Sequence, residues 1–207
     1  HRYGFFPSFG LAWSISNEKF WEPLKGKINN LRLRGTYGLV GNDAIGSATD
    51  RFFYLSNVVM NDASKGFTFG REYGTTQPGI NVTRYSNPDI TWETSYKTNL
   101  ALELGLFNKV NIQADFFKEE RKDILMNRSA IPTTMGLSAA VRANVGRASG
   151  QGMDMSVDYS ENFSNGFWMQ LRGNFTYAKS KYLAYEEPIY EKEWWKSRLG
   201  YSIHQPW

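Results

Sequence analysis

The sequence predicts an all-β chain: a segment of an antiparallel up-and-down transmembrane β-barrel with long loops at one end. Three observations carry that prediction. The first is the alternation in TWETSYKTNLALELGLF. Trp92, Thr94, Tyr96, Thr98, Leu100, Leu102, Leu104 and Leu106 share one parity, and Glu93, Ser95, Lys97, Asn99, Ala101, Glu103 and Gly105 share the other. A period of two places these sets on opposite faces of an extended strand. The second is length. The alternation runs for roughly fifteen residues, where a globular strand has about five or six. At about 3.3 Å per residue and a tilt near 40° the strand stands about 40 Å tall, beyond the apolar band of about 25 Å on an outer-membrane barrel. The third is the succession of connections, tight ones alternating with long ones, as in barrels with short periplasmic turns and long extracellular loops.

Taken in order, Phe9, Leu11, Trp13 and Ile15 alternate with small residues and predict a first strand from about Phe5 to Ser16. Pro7 is tolerated near its start. The connection Asn17 to Asn29 holds Phe20 and Trp21, rings that suit a membrane interface or a cap on the neighbouring apolar face. Leu31, Leu33, Gly35, Tyr37 and Leu39 oppose Arg32, Arg34, Thr36, Gly38 and Val40 in a second strand that ends at Gly41-Asn42. Asp43 to Pro88 has no sustained period, and connections that long are uncommon and usually functional. Within it, Arg51 to Met60 and Gly66 to Gly70 predict a small hairpin above the barrel.

The long hairpin follows. It turns at Phe107-Asn108-Lys109, and Val110, Ile112, Ala114 and Phe116 then oppose Asn111, Gln113 and Asp115. The charged exit Lys118 to Asp123 is predicted as a strand tip in water. Met126 to Gly150 reads as a second long connection. Met153, Met155, Val157 and Tyr159 make a fifth strand, Asn162 to Gly166 a tight turn with the Asn-Gly hairpin signature, and Phe167 to Tyr177 a sixth. Leu183 to Trp207 is a third polar and aromatic segment.

Composition narrows the function. Lys and Arg total 24 against 20 Asp and Glu, with the signs interleaved and no basic stripe, so nucleic acid is not an expected partner. Cysteine is absent, which excludes disulfides and thiolate metal sites. No run approaches the roughly eighteen apolar residues of a transmembrane helix. The two histidines, His1 and His204, lack the partners of a zinc site or a triad. Glu119-Glu120 and Glu186-Glu187 are sequence neighbours, which a strand would point to opposite faces. No catalytic, cofactor-binding or metal-binding residue is assigned, and the chain is not expected to be an enzyme.

Arg32, Arg34, Glu93, Lys97, Glu103, Asp115, Asp158 and Arg172 fall on the wet parity. Facing a lumen, they should pair with one another or meet water, because unpaired buried charge is costly. Ligand contact is expected instead in the long loops, where Arg71, Tyr73, Tyr85, Trp194 and Trp195 combine rings with donors. Aromatic faces can stack on sugars, although exposed rings also serve simply to pack loops.

Several separated blocks carry a resemblance. FPSFGLAWSISNEKFW, NNLRLRGTYGLVGN and NPDITWETSYKTNLALELGLFNKVNIQADFFKEERKDILM, followed by ANVG and GNFTYAKSK, resemble in order the barrel of SusC/RagA-type TonB-dependent outer-membrane transporters. The likeness covers most of the chain outside Asp43 to Pro88 and the C-terminal segment. It implies a barrel of about 22 strands, of which this chain supplies about six or seven, together with an N-terminal plug. It also implies drive from a TonB complex, a SusD-like surface lipoprotein as lid, oligosaccharide or peptide as cargo, and the Gram-negative outer membrane as location. A signal sequence, a TonB-interacting segment and a plug are not found in these residues, so residues 1–207 are expected to be a partial barrel domain of a larger protein. The alternatives are a passive porin-type barrel and a soluble carbohydrate-binding β-sandwich.

Overall fold

The computed structural model describes residues 3–44 and 52–204. Among them are eight strands: β1 (Ser8–Ser14), β2 (Ile28–Asn42), β3 (Asn57–Phe69), β4 (Thr75–Arg84), β5 (Glu93–Leu106), β6 (Val110–Asn127), β7 (Arg142–Asn162) and β8 (Trp168–Ala184). Six of them form one sheet in the order β1-β2-β5-β6-β7-β8, every pair antiparallel, while β3 and β4 make a separate two-stranded ribbon. The large sheet is therefore an up-and-down meander interrupted once, between β2 and β5. Its edges are not closed on each other.

Register turns the parity of each strand into a property of the whole sheet. Trp13, Leu33, Leu102, Ala114, Met155 and Phe175 lie in one cross-strand row spanning all six strands. The neighbouring row, on the opposite face, is Ala12, Arg34, Ala101, Asp115, Asp154 and Thr176. Because directly paired residues share a face, the sheet has one continuous apolar face and one continuous polar face. Among the described residues no second layer covers either. Leu11 is 77% exposed and Leu100 61%, and no large side chain among the described residues is fully buried. Contiguous apolar surface on this scale belongs against lipid or another protein, not water.

The turns explain the direction changes. At Phe107 and Asn108 the backbone is left-handed twice in succession, with Lys109 N–H donating to the Leu106 carbonyl at 3.0 Å. Two successive positive φ angles define the primed turn whose twist matches that of the flanking strands. Asn29 accepts from the Asn108 N–H and braces the turn from β2. Residues 163–167 close the β7–β8 hairpin, with Gly166 at φ 83°. These turns and the 15–27 connection lie at one end of the sheet; the described residues of 43–44 and 52–92, and 128–141, lie at the other. The predicted asymmetry of connections is present.

Several boundaries differ from expectation. The first strand is shorter, because Ile15–Asn17 coils into a 3-10 turn after Ser14. The small hairpin is shifted. Residues 57–69 form a single strand that pairs with 75–84, and Gly66 lies inside it. Positive φ at Gly70 and Tyr73 puts the reversal at 70–74 instead. Asp62 accepts from the Ser64 N–H within β3, at one of the ribbon's register breaks, which is why no alternation shows in the sequence. Arg51 lies outside the described residues, as do 205–207 of the C-terminal segment. Lys118 to Asp123 is no strand tip: β6 continues through a bulge to Asn127, and β7 starts at Arg142, so the second long connection shrinks to 128–141.

Candidate functional site: the polar wall and its loops

The polar face is a wall of compensated charge. Arg34 donates to Asp115 at 3.1 Å and also lies 4.0 Å from Glu103, which Arg32 approaches to 3.8 Å. Gln113 donates to the other Asp115 oxygen at 2.9 Å. Higher on the same face Lys97 meets Glu119 at 3.7 Å and Arg121 pairs with Glu93; lower down Arg172 pairs with Asp158. All eight residues assigned to the wet parity thus occupy that face, and each has an opposite charge on an adjacent strand or one strand beyond. These side chains are part-exposed, so each pair contributes only about 0–1 kcal/mol. Their effect is to leave the wall polar and close to balanced in charge, with Asp154, in the same row as Asp115, outside these pairs.

The long connections are held to the sheet by a few specific contacts. Phe53, 6% exposed, lies between the guanidinium groups of Arg84 and Arg142, each 5.2 Å from its ring centre. Asn87 donates its backbone N–H to the Phe53 carbonyl and its side-chain amide to the Arg142 carbonyl, the latter at 2.8 Å. Asn144 donates to the Thr91 and Asp123 carbonyls at 3.0 and 2.7 Å and accepts from the Thr91 N–H. Asp123 has φ 58°, so Asn144 satisfies the carbonyl exposed by the β6 bulge. No sequence signal marked Phe53, Asn87 or Asn144, since each contact joins segments about 20 to 90 residues apart in the chain.

The C-terminal segment is fastened by the two adjacent glutamates. Glu186 accepts from Arg128 and from the Ala130 N–H, joining the segment to the 128–141 connection. Glu187 accepts from the Ser197 hydroxyl and from the N–H groups of Arg198 and Leu199. Burial alone would raise the Glu187 carboxyl, but the Arg198 N–H, the Ser197 hydroxyl and the Leu199 N–H outweigh it and hold it below the usual carboxylate range.

The five loop candidates are dispersed. Arg71 and Tyr73 occupy the exposed β3–β4 turn. Tyr85 lies just past β4, where its hydroxyl accepts from the Ser138 N–H at 3.1 Å and lies 3.4 Å from the Ser138 hydroxyl. That joins the first long connection to the second. Ser138 holds the Tyr85 hydroxyl below its ordinary pKa, the side-chain contact first and the N–H second. Trp194 and Trp195 sit on a 3-10 turn with their rings edge to face, 6.0 Å apart. Among the described residues no hydrogen bond or ring contact joins Arg71, Tyr73, Tyr85 and the tryptophan pair to one another. A depression of about 660 Å³ lies over Gly35, lined chiefly by Leu11, Trp13, Leu33, Leu100, Leu102 and Phe116. It opens on the apolar face, so it is a lipid-facing groove and not a cradle for polar cargo.

A tall meander with one oily face, one balanced polar face and its large loops gathered at one end defines the class: transmembrane β-barrel wall. The family model for the TonB dependent receptor-like β-barrel matches residues 1–201, and the chain belongs to that family. A TonB-dependent receptor of Formosa agariphila is 31% identical over 160 residues, covering 76% of this chain and 15% of that protein. The TonB-dependent receptor SusC of Bacteroides thetaiotaomicron is 28% identical over 179 residues, covering 86% and 17%. The chain thus spans about a sixth of the length of these relatives. In fold it is similar to a chain of the RagAB peptide importer in its closed-closed state, with a TM-score of 0.68 at 23% identity over 89% of this chain and 18% of that one. The members of the family are transporters and receptors of the outer membrane.

Proposed function

We propose that this chain is barrel wall and extracellular loops of an energy-coupled outer-membrane importer of nutrients. The observation that carries the reading is the coincidence of the apolar belt with a charge-compensated wall on the opposite face, within a TonB-dependent receptor barrel. Lipid holds the belt; water, and a plug supplied by the rest of the receptor, meets the wall. The long connections face the medium and meet the cargo, an oligosaccharide or a peptide, beneath a SusD-like lipoprotein. In this reading Arg71, Tyr73, Tyr85, Trp194 and Trp195 are the cargo-contact candidates. Tyr85 has the strongest support, because Ser138 fixes it between two of the long connections.

A soluble β-sandwich needs two sheets packed face to face, about 10 Å apart, and the six-stranded sheet has no facing layer among the described residues. The test is uptake by the full-length receptor in cells with and without TonB. Accumulation of labelled oligosaccharide or oligopeptide should depend on both the receptor and TonB. Receptor-dependent uptake that survives loss of TonB would establish passive, porin-type diffusion instead.

A further inference from the structure

We propose that the outward face of β6, β7 and β8, immediately beyond the apolar belt on the long-loop side, docks the phosphomonoester headgroups of anionic membrane lipids. The proposal rests on the barrel reading above. It goes beyond that reading by assigning a ligand to a surface that neither transport nor cargo binding uses.

The rows of the sheet locate the patch. The outward row Leu11, Gly35, Leu100, Phe116, Met153 and Tyr177 carries no charge. The next outward row is Phe9, Tyr37, Thr98, Lys118, Gln151 and Lys179, and the one beyond it places Tyr96, Glu120, Ser149 and Lys181 side by side. Lys122 and Arg147 follow on the same face. Rings therefore give way to cations within two rows, roughly 7 Å along a strand, the order expected where an acyl layer meets its headgroups.

Charge on the two faces differs at this height. Inward, Lys97 pairs with Glu119 and Arg121 with Glu93, leaving no excess. Outward, Lys118, Lys122, Arg147, Lys179 and Lys181 face a single carboxylate, Glu120. Arg147 and Lys122 already engage it, Lys122 from 3.8 Å. Lys118, Lys179 and Lys181 are exposed and have no ion-pair partner among the described residues. Simple solvation of strand ends would not sort the charges by face. Lys118 and Lys179 lie two strand spacings apart in one row, about 10 Å, with the Gln151 amide between them. A phosphate seated over Gln151 would receive both ammonium groups and an amide N–H. A phosphomonoester matches this surface better than a carboxylate or the singly charged phosphodiester of a zwitterionic headgroup, since its charge of nearly two and its three free oxygens answer to clustered donors.

The full-length receptor, purified in detergent, can be titrated with phosphatidic acid or phosphatidylcholine and its retained lipid counted by native mass spectrometry. Wild type should retain phosphatidic acid with at least about five-fold preference, reduced to below about two-fold by K118Q/K122Q/K179Q/K181Q. K19Q/K25Q/K27Q/K65Q, which removes the same charge outside the patch, should keep the preference. E120Q, which removes the one acid, should raise it by about two-fold and does not depend on the fourfold variant folding. Inorganic phosphate in excess should not displace the lipid, which separates headgroup docking from a free-phosphate site. No preference in wild type, or equal loss in both fourfold variants, would overturn the proposal. Recovery of the receptor from the aqueous fraction without detergent would instead sink the barrel reading itself.

Discussion

At the scale of single residues, parity decides what a substitution costs. Leu102 sits mid-belt between Leu33 and Ala114, so Leu102→Arg should destabilise the full-length receptor by about 2–4 kcal/mol in a lipid refolding titration. Ala101 is the adjacent wet-side position, but it is only 4% exposed, set in the row between Arg34 and Asp115. An arginine there would collide with that bridge, so the matched control belongs at Gln113, which is exposed on the same wall. Gln113→Arg should cost less than about 1 kcal/mol. Equal penalties at Leu102 and Gln113 would show that the two faces do not meet different solvents. For the Arg34–Asp115 pair, a double-mutant cycle with alanine should return a coupling of about 0.5–1 kcal/mol, because both side chains remain part-solvated.

At the scale of elements, the β6 bulge and its partner Asn144 set how the upper sheet bends. Asn144→Ala leaves the Asp123 and Thr91 carbonyls and the Thr91 N–H without their side-chain partner, and should cost about 1–3 kcal/mol. Hydrogen exchange should localise the loss to the ends of β6 and β7 nearest the 128–141 connection; uniform loosening of the sheet would contradict the local role. This is also where the sequence was hardest to read. From Trp92 to Leu106, and again from Val110 to Phe116, the alternation is unbroken because one face meets oil and the other water, so strand, hairpin and facing were all legible. Beyond Glu120 the strand leaves the belt, its side chains lose the two-solvent contrast, and a bulge shifts the parity. The pairing continues on backbone hydrogen bonds and a few side-chain bonds such as Asn144 to the Asp123 carbonyl, to which composition is blind. The β3–β4 ribbon was misplaced for the same reason. The wall charges were foreseen by parity, whereas Phe53 and Asn144 depend on contacts between distant segments that no local pattern encodes.

At the scale of the whole molecule, the C-terminal segment responds to acid through Glu187. Its folded-state pKa is lowered, so its contribution to stability is present above the ordinary carboxylate range and is lost as pH falls through the lowered folded value. Acidification should therefore release residues 185–201 while the six-stranded sheet persists. Protection factors at Arg198 and Leu199, corrected for intrinsic exchange, should fall in acid in wild type; in Glu187→Gln they should be low and nearly pH-independent. A pH response unchanged by Glu187→Gln would assign the release to another group.

The long connections rest on a small number of fixed attachments: Phe53 between two guanidinium groups, Asn144 at the bulge, and Glu186 bound to Arg128. The ion pairs of the wall beneath form without help from them. Each connection therefore behaves as an interchangeable cassette with a defined socket. Sequence between the attachments can change, or be exchanged as a block, while the scaffold that carries it stays the same.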